Sequence, residues 1–259
     1  MRNSWADSMI LIFFVYGMSF FIMGIAIELY PKKGSHLRLV DNLWLISLFG
    51  FLHGINEWID MFLLFEPSTI VKSIRFLLLP ISFLPLIQFA LNTTVEFKRK
   101  NPALKAIGII LLIFWVLIVA LGKQKLLLGD IFARYLLCFP GAALTAYAIT
   151  LYFPEIRNVK QQKIVTSSKF AVVAFSFYAI FAGMIVPEAP FFPASILNYS
   201  AFLDGVGVPV QIFRATCAVV ITFALVRVLS VFEYEKLALL EKAQVELQER
   251  LKLRKNTEL

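Results

Sequence analysis

Apolar runs of close to twenty residues recur along nearly the whole of this chain, and no other feature constrains its fold as much. At about 1.5 Å rise per residue, a helix of about twenty residues matches the ~30 Å hydrocarbon core of a bilayer, whereas a helix in a soluble core is shorter and amphipathic. The runs fall at about 8 to 29, 40 to 65, 71 to 92, 103 to 122, 130 to 153, 169 to 187 and 209 to 232. With 59% of 259 residues hydrophobic, the expected fold class is all-α. It is a polytopic membrane protein: a seven-helix domain over 1–232, followed by a cytoplasmic helix over 233–259.

Charge supplies the topology. A net charge of +8 in a soluble chain would suggest nucleic acid, but here the Lys and Arg sit in short loops between apolar runs, so nucleic acid is not an expected partner. Lys32, Lys33, Arg38, Lys98, Arg99, Lys100, Lys105, Arg157, Lys160, Lys163 and Lys169 fall on one side. The other side carries Arg2, Lys72, Lys123 and Lys125, and its longest segment, Pro187 to Gln211, has no Lys or Arg. The positive-inside rule puts the N-terminus outside and the C-terminus in the cytoplasm, in a multi-pass arrangement in a bacterial inner membrane. The first run has one preceding Arg and ends in Glu28 rather than at a small-residue cleavage site, which makes it a retained span rather than a signal peptide. Cys138 and Cys217 both lie within spans and read as buried apolar thiols, not as a disulfide framework or a zinc site.

The stretch LFGFLHGINEWIDMFLLF, residues 48 to 65, sets His53, Asn56, Glu57 and Asp60 inside span two. On a helix His53, Glu57 and Asp60 stand at i, i+4 and i+7 and share a face. An ionisable group in hydrocarbon costs roughly 2.5 to 3.5 kcal/mol on insertion scales, so that face must turn inward toward partners. The topology brings Arg75 of span three, Asp130 and Arg134 of span five and Arg214 of span seven to the same outer half of the bundle. These residues are the expected ligand-binding or sensing set. In one reading the arginines neutralise Glu57, Asp60 and Asp130 in a closed scaffold. In the other they line an outward-facing pocket that takes a small anionic or polar ligand in fork geometry, with Trp58, Tyr135 and Tyr199 adding stacking or hydroxyl contacts.

No cofactor is expected. Haem or metal through His53 is the alternative, but the second histidine, His36, would stand about 25 Å away along a continuous helix. A histidine tuned by Glu57, acting as a proton sensor, fits better. Pro80, Pro85 and Pro140 predict kinks in spans three and five. The segment PEAPFFPASILNYSAFLDGVGVPVQ, aromatic and prolyl, predicts a cap over the mouth of the bundle.

After span seven, VFEYEKLALLEKAQVELQERLKLRKNTEL is charged and free of Gly and Pro. Leu237, Leu240, Leu247 and Leu251 follow 3-4 spacing with Gln244 at the seam, the pattern of a parallel coiled coil and hence of a homodimer; an amphipathic helix on the inner leaflet is the alternative. No hydrolase, metalloprotease or phosphate-loop motif occurs, so no catalytic activity is expected of this chain. A small-molecule transporter also suits seven spans with buried charge, yet no inverted half-repeat is evident. A receptor explains the continuous exit helix better, because a small tilt or rotation there alters a dimeric output.

The segments FFVYGMSFFIMGIAIEL (13 to 29), LWLISLFGFLHGINEWIDMF (43 to 62) and VFEYEKLALLEKAQVELQERLKL (231 to 253) resemble the N-terminal membrane-sensor region of bacterial multidomain sensor histidine kinases and related PAS-containing signalling proteins. The resemblance implies a sensor of a two-component system whose exit helix leads to a cytoplasmic kinase, PAS or cyclase output. It carries over no ligand. The chain stops at Leu259 without such a domain, so it is expected to be either a truncated sensor or a stand-alone relative.

Overall fold

Long apolar segments between breakers become single helices, and the tertiary question is how they close around the polar residues they carry. In the computed structural model, which describes residues 8–30, 38–99, 101–158, 162–230 and 244–248, seven helices are long and apolar enough to cross a membrane. They are α1 Met9–Glu28, α2 Leu39–Phe65, α3 Thr69–Lys98, α4 Pro102–Leu121, α5 Lys125–Leu151, α6 Gln162–Met184 and α7 Val210–Leu229. Short helices at Phe153–Asn158 and Tyr199–Val206 occupy connections. No strand occurs among the described residues, only the single bridge Val186–Asn198.

Six helices form a closed ring. α1 packs on α2, α2 on α3, α3 on α5, α5 on α6, α6 on α7, and α7 returns to α1. α4 stands outside the ring against α5 and α3, burying only Gly108, Trp115 and Val119. Its indole tie to the ring is Trp115 Nε1 donating to the Gly129 carbonyl at 2.8 Å. The end carrying Ser8 and the 66–68, 122–124 and 185–209 connections is termed the upper end below.

Glycines draw α1 and α2 together. A Cβ at Gly54 would stand 2.8 Å from the Gly17 carbonyl oxygen, and one at Gly50 would stand 2.7 Å from that of Phe20. Between lipid-solvated helices, apolar pairing brings little hydrophobic gain, so close backbone approach supplies the packing energy.

Two π-helical turns shape the opposite wall. In α5 the turn Arg134–Cys138 directly precedes Phe139–Pro140, and the Phe139 N–H reaches back to the Arg134 carbonyl. Pro140 has no N–H and its ring crowds the carbonyl four residues back, which an ordinary α-turn would leave in place. In α6 the turn Ala179–Met184 ends with the Ile185 N–H reaching the Ile180 carbonyl at 3.4 Å, two residues before Pro187. The two turns pack on each other. α6 thereby presents backbone carbonyls that its own helix does not use.

The helix ends differ from the sequence expectation in three places. α3 continues past residue 92 to Lys98, α5 starts at Lys125 rather than 130, and α6 starts at Gln162 rather than 169. The polar end of α3 stays helical because partners satisfy it: Asn42 donates to Glu96 at 2.8 Å, Asn92 to Asn42 at 3.1 Å, and Lys105 pairs with Glu96 at 3.1 Å. Pro80 and Pro85 lie inside the unbroken α3. The 185–209 connection folds down over α5, α6 and α7: Phe191 stacks on Phe132, Phe202 meets Phe181 and Phe213 edge-on, and Ala189, Ala194 and Asn198 are buried. The coiled-coil expectation for 233–259 lies outside the described residues except for 244–248, which are helical. Arg2, Lys32, Lys33, His36, Lys100 and Lys160 lie outside them as well.

Candidate functional site

All six ring helices contribute to a polar interior with two layers. The upper layer is a cavity of about 260 Å³, lined by Phe13 of α1, Glu57, Asp60, Leu63 and Leu64 of α2, Arg75 of α3, Arg134 of α5, Tyr199 of the cap, and Gln211 and Arg214 of α7. Five of the eight residues expected from the sequence thus share one wall: Glu57, Asp60, Arg75, Arg134 and Arg214. Asp130 stands behind Arg75 and Arg134 and holds both.

The pairing is uneven. Arg75 Nε lies 2.9 Å from one Asp60 oxygen, and Nη2 donates to the other at 3.1 Å. Arg75 Nη1 contacts Asp130 Oδ2, and Arg134 Nε donates to Asp130 Oδ1 at 2.7 Å, one helical turn along α5. Asp60, Arg75, Asp130 and Arg134 are therefore a chain of alternating charge that neutralises itself. Arg134, 2% exposed, gives its remaining reach to the Ala182 carbonyl at 3.2 Å.

Glu57 and Arg214 stand outside that chain. Arg214, 1% exposed, donates from Nε to the Phe181 carbonyl at 2.8 Å and from Nη2 to that of Ile185 at 2.7 Å, with its guanidinium carbon 5.2 Å from the centre of the Tyr199 ring. Among the described residues no carboxylate pairs with it. Both carbonyls lie where α6 ends, Phe181 in its last, π-helical turn and Ile185 just past Met184 in extended backbone. Glu57, also 1% exposed, has no arginine partner among the described residues; it accepts from Asn56 Nδ2 at 3.2 Å and lies 3.4 Å from His53 Nε2. Of the two readings left open by the sequence, the closed one in which three arginines neutralise three carboxylates is not fully met. Two of each do, because Asp130 bridges two guanidinium groups and α6 carbonyls satisfy the third.

The lower layer centres on His53, which does not line the cavity. Ser82 Oγ has one hydrogen and donates it to the Leu79 carbonyl at 2.7 Å, so its 3.2 Å contact with His53 is accepted from Nδ1–H. Nε2 then faces the hydroxyls of Tyr16 at 3.2 Å and Tyr178 at 3.1 Å. Phe20, Phe49 and Phe83 close around the ring, Phe49 stacked at 5.3 Å and Phe20 edge-on at 4.8 Å. With Nδ1 committed to Ser82, Nε2 is the position where a proton would turn the Glu57 contact into an ion pair. A metal or haem iron at Nε2 would have to displace two tyrosines, and among the described residues no three metal-ligating side chains converge.

Three further placements differ from expectation. Asn56 is fully buried behind Glu57, and its Oδ1 has no hydrogen-bond partner. Trp58 is outside the cavity, packed on Gly17 and Phe21 and donating to the Phe14 carbonyl at 3.2 Å. Tyr135 faces Phe132 and the cap rather than the cavity. Tyr199 alone of the three aromatics reaches the site. Sequence reasoning missed Tyr16, Ser82, Tyr178 and Gln211, which are uncharged and lie within apolar runs or at a span's edge. Pro140 and Pro187 were the available signals for the π-turns. Comparison of the chain with protein-family models, with curated proteins and with solved structures finds no match.

Proposed function

We propose that this chain is a membrane-embedded sensing module, N-terminus outside and C-terminus in the cytoplasm of a bacterial cell. It relays occupancy of the upper cavity through α7 to a cytoplasmic output. The observation that carries the reading is the position of Arg214: it walls the cavity and belongs to α7, the helix whose far end at Ser230 leads into the charged C-terminal segment. One rigid element thus touches both the input and the exit.

The mechanism is a population shift between two packings of the ring. Arg214 holds α7 to α6 through two backbone carbonyls that a ligand's acceptor atoms would compete for. A ligand preferring the packing in which those bonds are redrawn moves α7 relative to α6, and one that binds both packings equally moves nothing. The resemblance to sensor-kinase membrane regions and the 3-4 leucine spacing after Ser230 support a dimeric kinase, PAS or cyclase output as the partner. The positive charge at the 99–107 and 153–169 connections supports the orientation.

The test is a fusion of the chain to a two-component output in cells. Glu57→Gln and Arg134→Ala are each expected to lock or abolish the output change that outer conditions evoke. An unchanged response in both would make the cluster a scaffold, and counterflow of a solute in proteoliposomes would make the chain a carrier.

A further inference from the structure

The cavity's two unpaired poles define what it takes. We infer that its ligand is a compact zwitterion, with an oxyanion held by Arg214, Gln211 and Tyr199 and an ammonium group held by Glu57. This deepens the sensing reading above and rests on it for the site's role.

Charge comes first. The cavity's wall and its backing carry Arg75, Arg134 and Arg214 against Glu57, Asp60 and Asp130, so with His53 neutral the site is balanced, and a net-neutral ligand keeps it so. Within that balance Asp60, Arg75, Asp130 and Arg134 consume one another, leaving one guanidinium and one carboxylate that line the same space without forming an ion pair. A free anion would meet Arg214 but bring its charge against Glu57. A free cation would meet Glu57 but stand against Arg214. A molecule carrying both charges on a short skeleton answers both poles.

The second observation is Gln211. The residue is 8% exposed, it lines the cavity beside Arg214, and its amide has no hydrogen bond to any described residue. The amide is not sealed from the cavity, so its donor and acceptor are free to take a ligand atom there. The Tyr199 hydroxyl likewise has no described partner, while its ring is fixed against Arg214. Three donors therefore converge at the α7 side, facing one carboxylate on α2.

Size narrows the class. At about 260 Å³ the cavity falls below the ~300–1,000 Å³ of drug-sized pockets. Two sources share this chemistry: a free amino acid or aminoalkyl phosphodiester, and the headgroup of an aminophospholipid entering past Leu63 and Leu64.

Thermal unfolding of the purified full chain in detergent, with glycine, L-alanine, L-glutamine and glycerophosphoethanolamine as probes, separates these. At least one zwitterion is expected to raise the midpoint, while acetate and ethylamine at equal concentration do not. Gln211→Leu should leave the midpoint of the unliganded protein in place and weaken that probe by about tenfold, the loss of one charge-assisted hydrogen bond. Glu57→Gln should bring the response to the zwitterion down to that of acetate. If only phosphatidylethanolamine nanodiscs, compared with phosphatidylcholine ones, give the shift, and Gln211→Leu removes it, the ligand is the headgroup. Acetate matching the best zwitterion, a shift that survives in both variants, or no shift with any probe or lipid overturns the inference. An output fusion that still responds while every zwitterion fails rejects the ligand class alone; binding without any output change rejects the sensing role alone.

Discussion

The two polar layers inside the ring are built from the same kinds of residue and reach opposite ends. Around His53 each ring nitrogen faces a side-chain partner, and phenylalanines close the gaps. One helical turn above, Glu57 and Arg214 face a cavity without an ion pair between them, beside the Gln211 amide, which bonds to no described residue. An ionisable residue within a span is therefore not by itself a binding site. On the proposed reading, what would separate a structural polar centre from a receptive one is whether its donors and acceptors are closed by the protein itself.

The comparison is open to attack at several points. The largest effect is expected at Asp130, which holds two guanidinium groups at once. Asp130→Asn should destabilise the folded chain by about 3–5 kcal/mol, because it leaves Arg134 buried without a counter-charge, and thermal unfolding in detergent measures it. A loss no greater than that of an exposed ion pair would mean water reaches the alternating chain freely.

In the lower layer, His53→Phe keeps an aromatic ring in an aromatic cage but strands the Tyr16 and Tyr178 hydroxyls. A cost of about 1–3 kcal/mol is expected, with ligand-induced stabilisation unchanged. If the substitution removes ligand response while barely altering stability, the two layers are one functional unit and the contrast fails. The Glu57 contact to Nε2 is the route by which it could.

Gln211→Leu sharpens the comparison from the other side, since removing an amide that the protein does not use should change stability by no more than about 0.5 kcal/mol. The smallest effect concerns access rather than energy. In a background with Cys138 and Cys217 replaced, a cysteine substituted at Gln211 should react with a small water-soluble thiol reagent, and one substituted at Ser82 should not. Equal labelling would place both layers in contact with water.

Much of this was legible before any coordinates. The seven helices follow from run length, because about twenty apolar residues in hydrocarbon have few alternatives to a helix. That Glu57, Asp60, Arg75, Asp130, Arg134 and Arg214 occupy one level follows from counting residues along spans of alternating direction. Less legible were the helix ends, since Glu96 and Lys98 read as loop residues until their partners Asn42 and Tyr147 on neighbouring segments are known.

The sequence by itself determined an all-helical chain with charge gathered near one end, because hydrophobic run length and the cost of bare charge in lipid are local quantities. Only the tertiary structure decided which charges cancel. That depends on Asp130 lying between two arginines, on π-turns before Pro140 and Pro187, and on α6 offering the carbonyls of Phe181 and Ile185 to Arg214. Pairing is set by angles and distances between distant segments, which no count along a single helix contains.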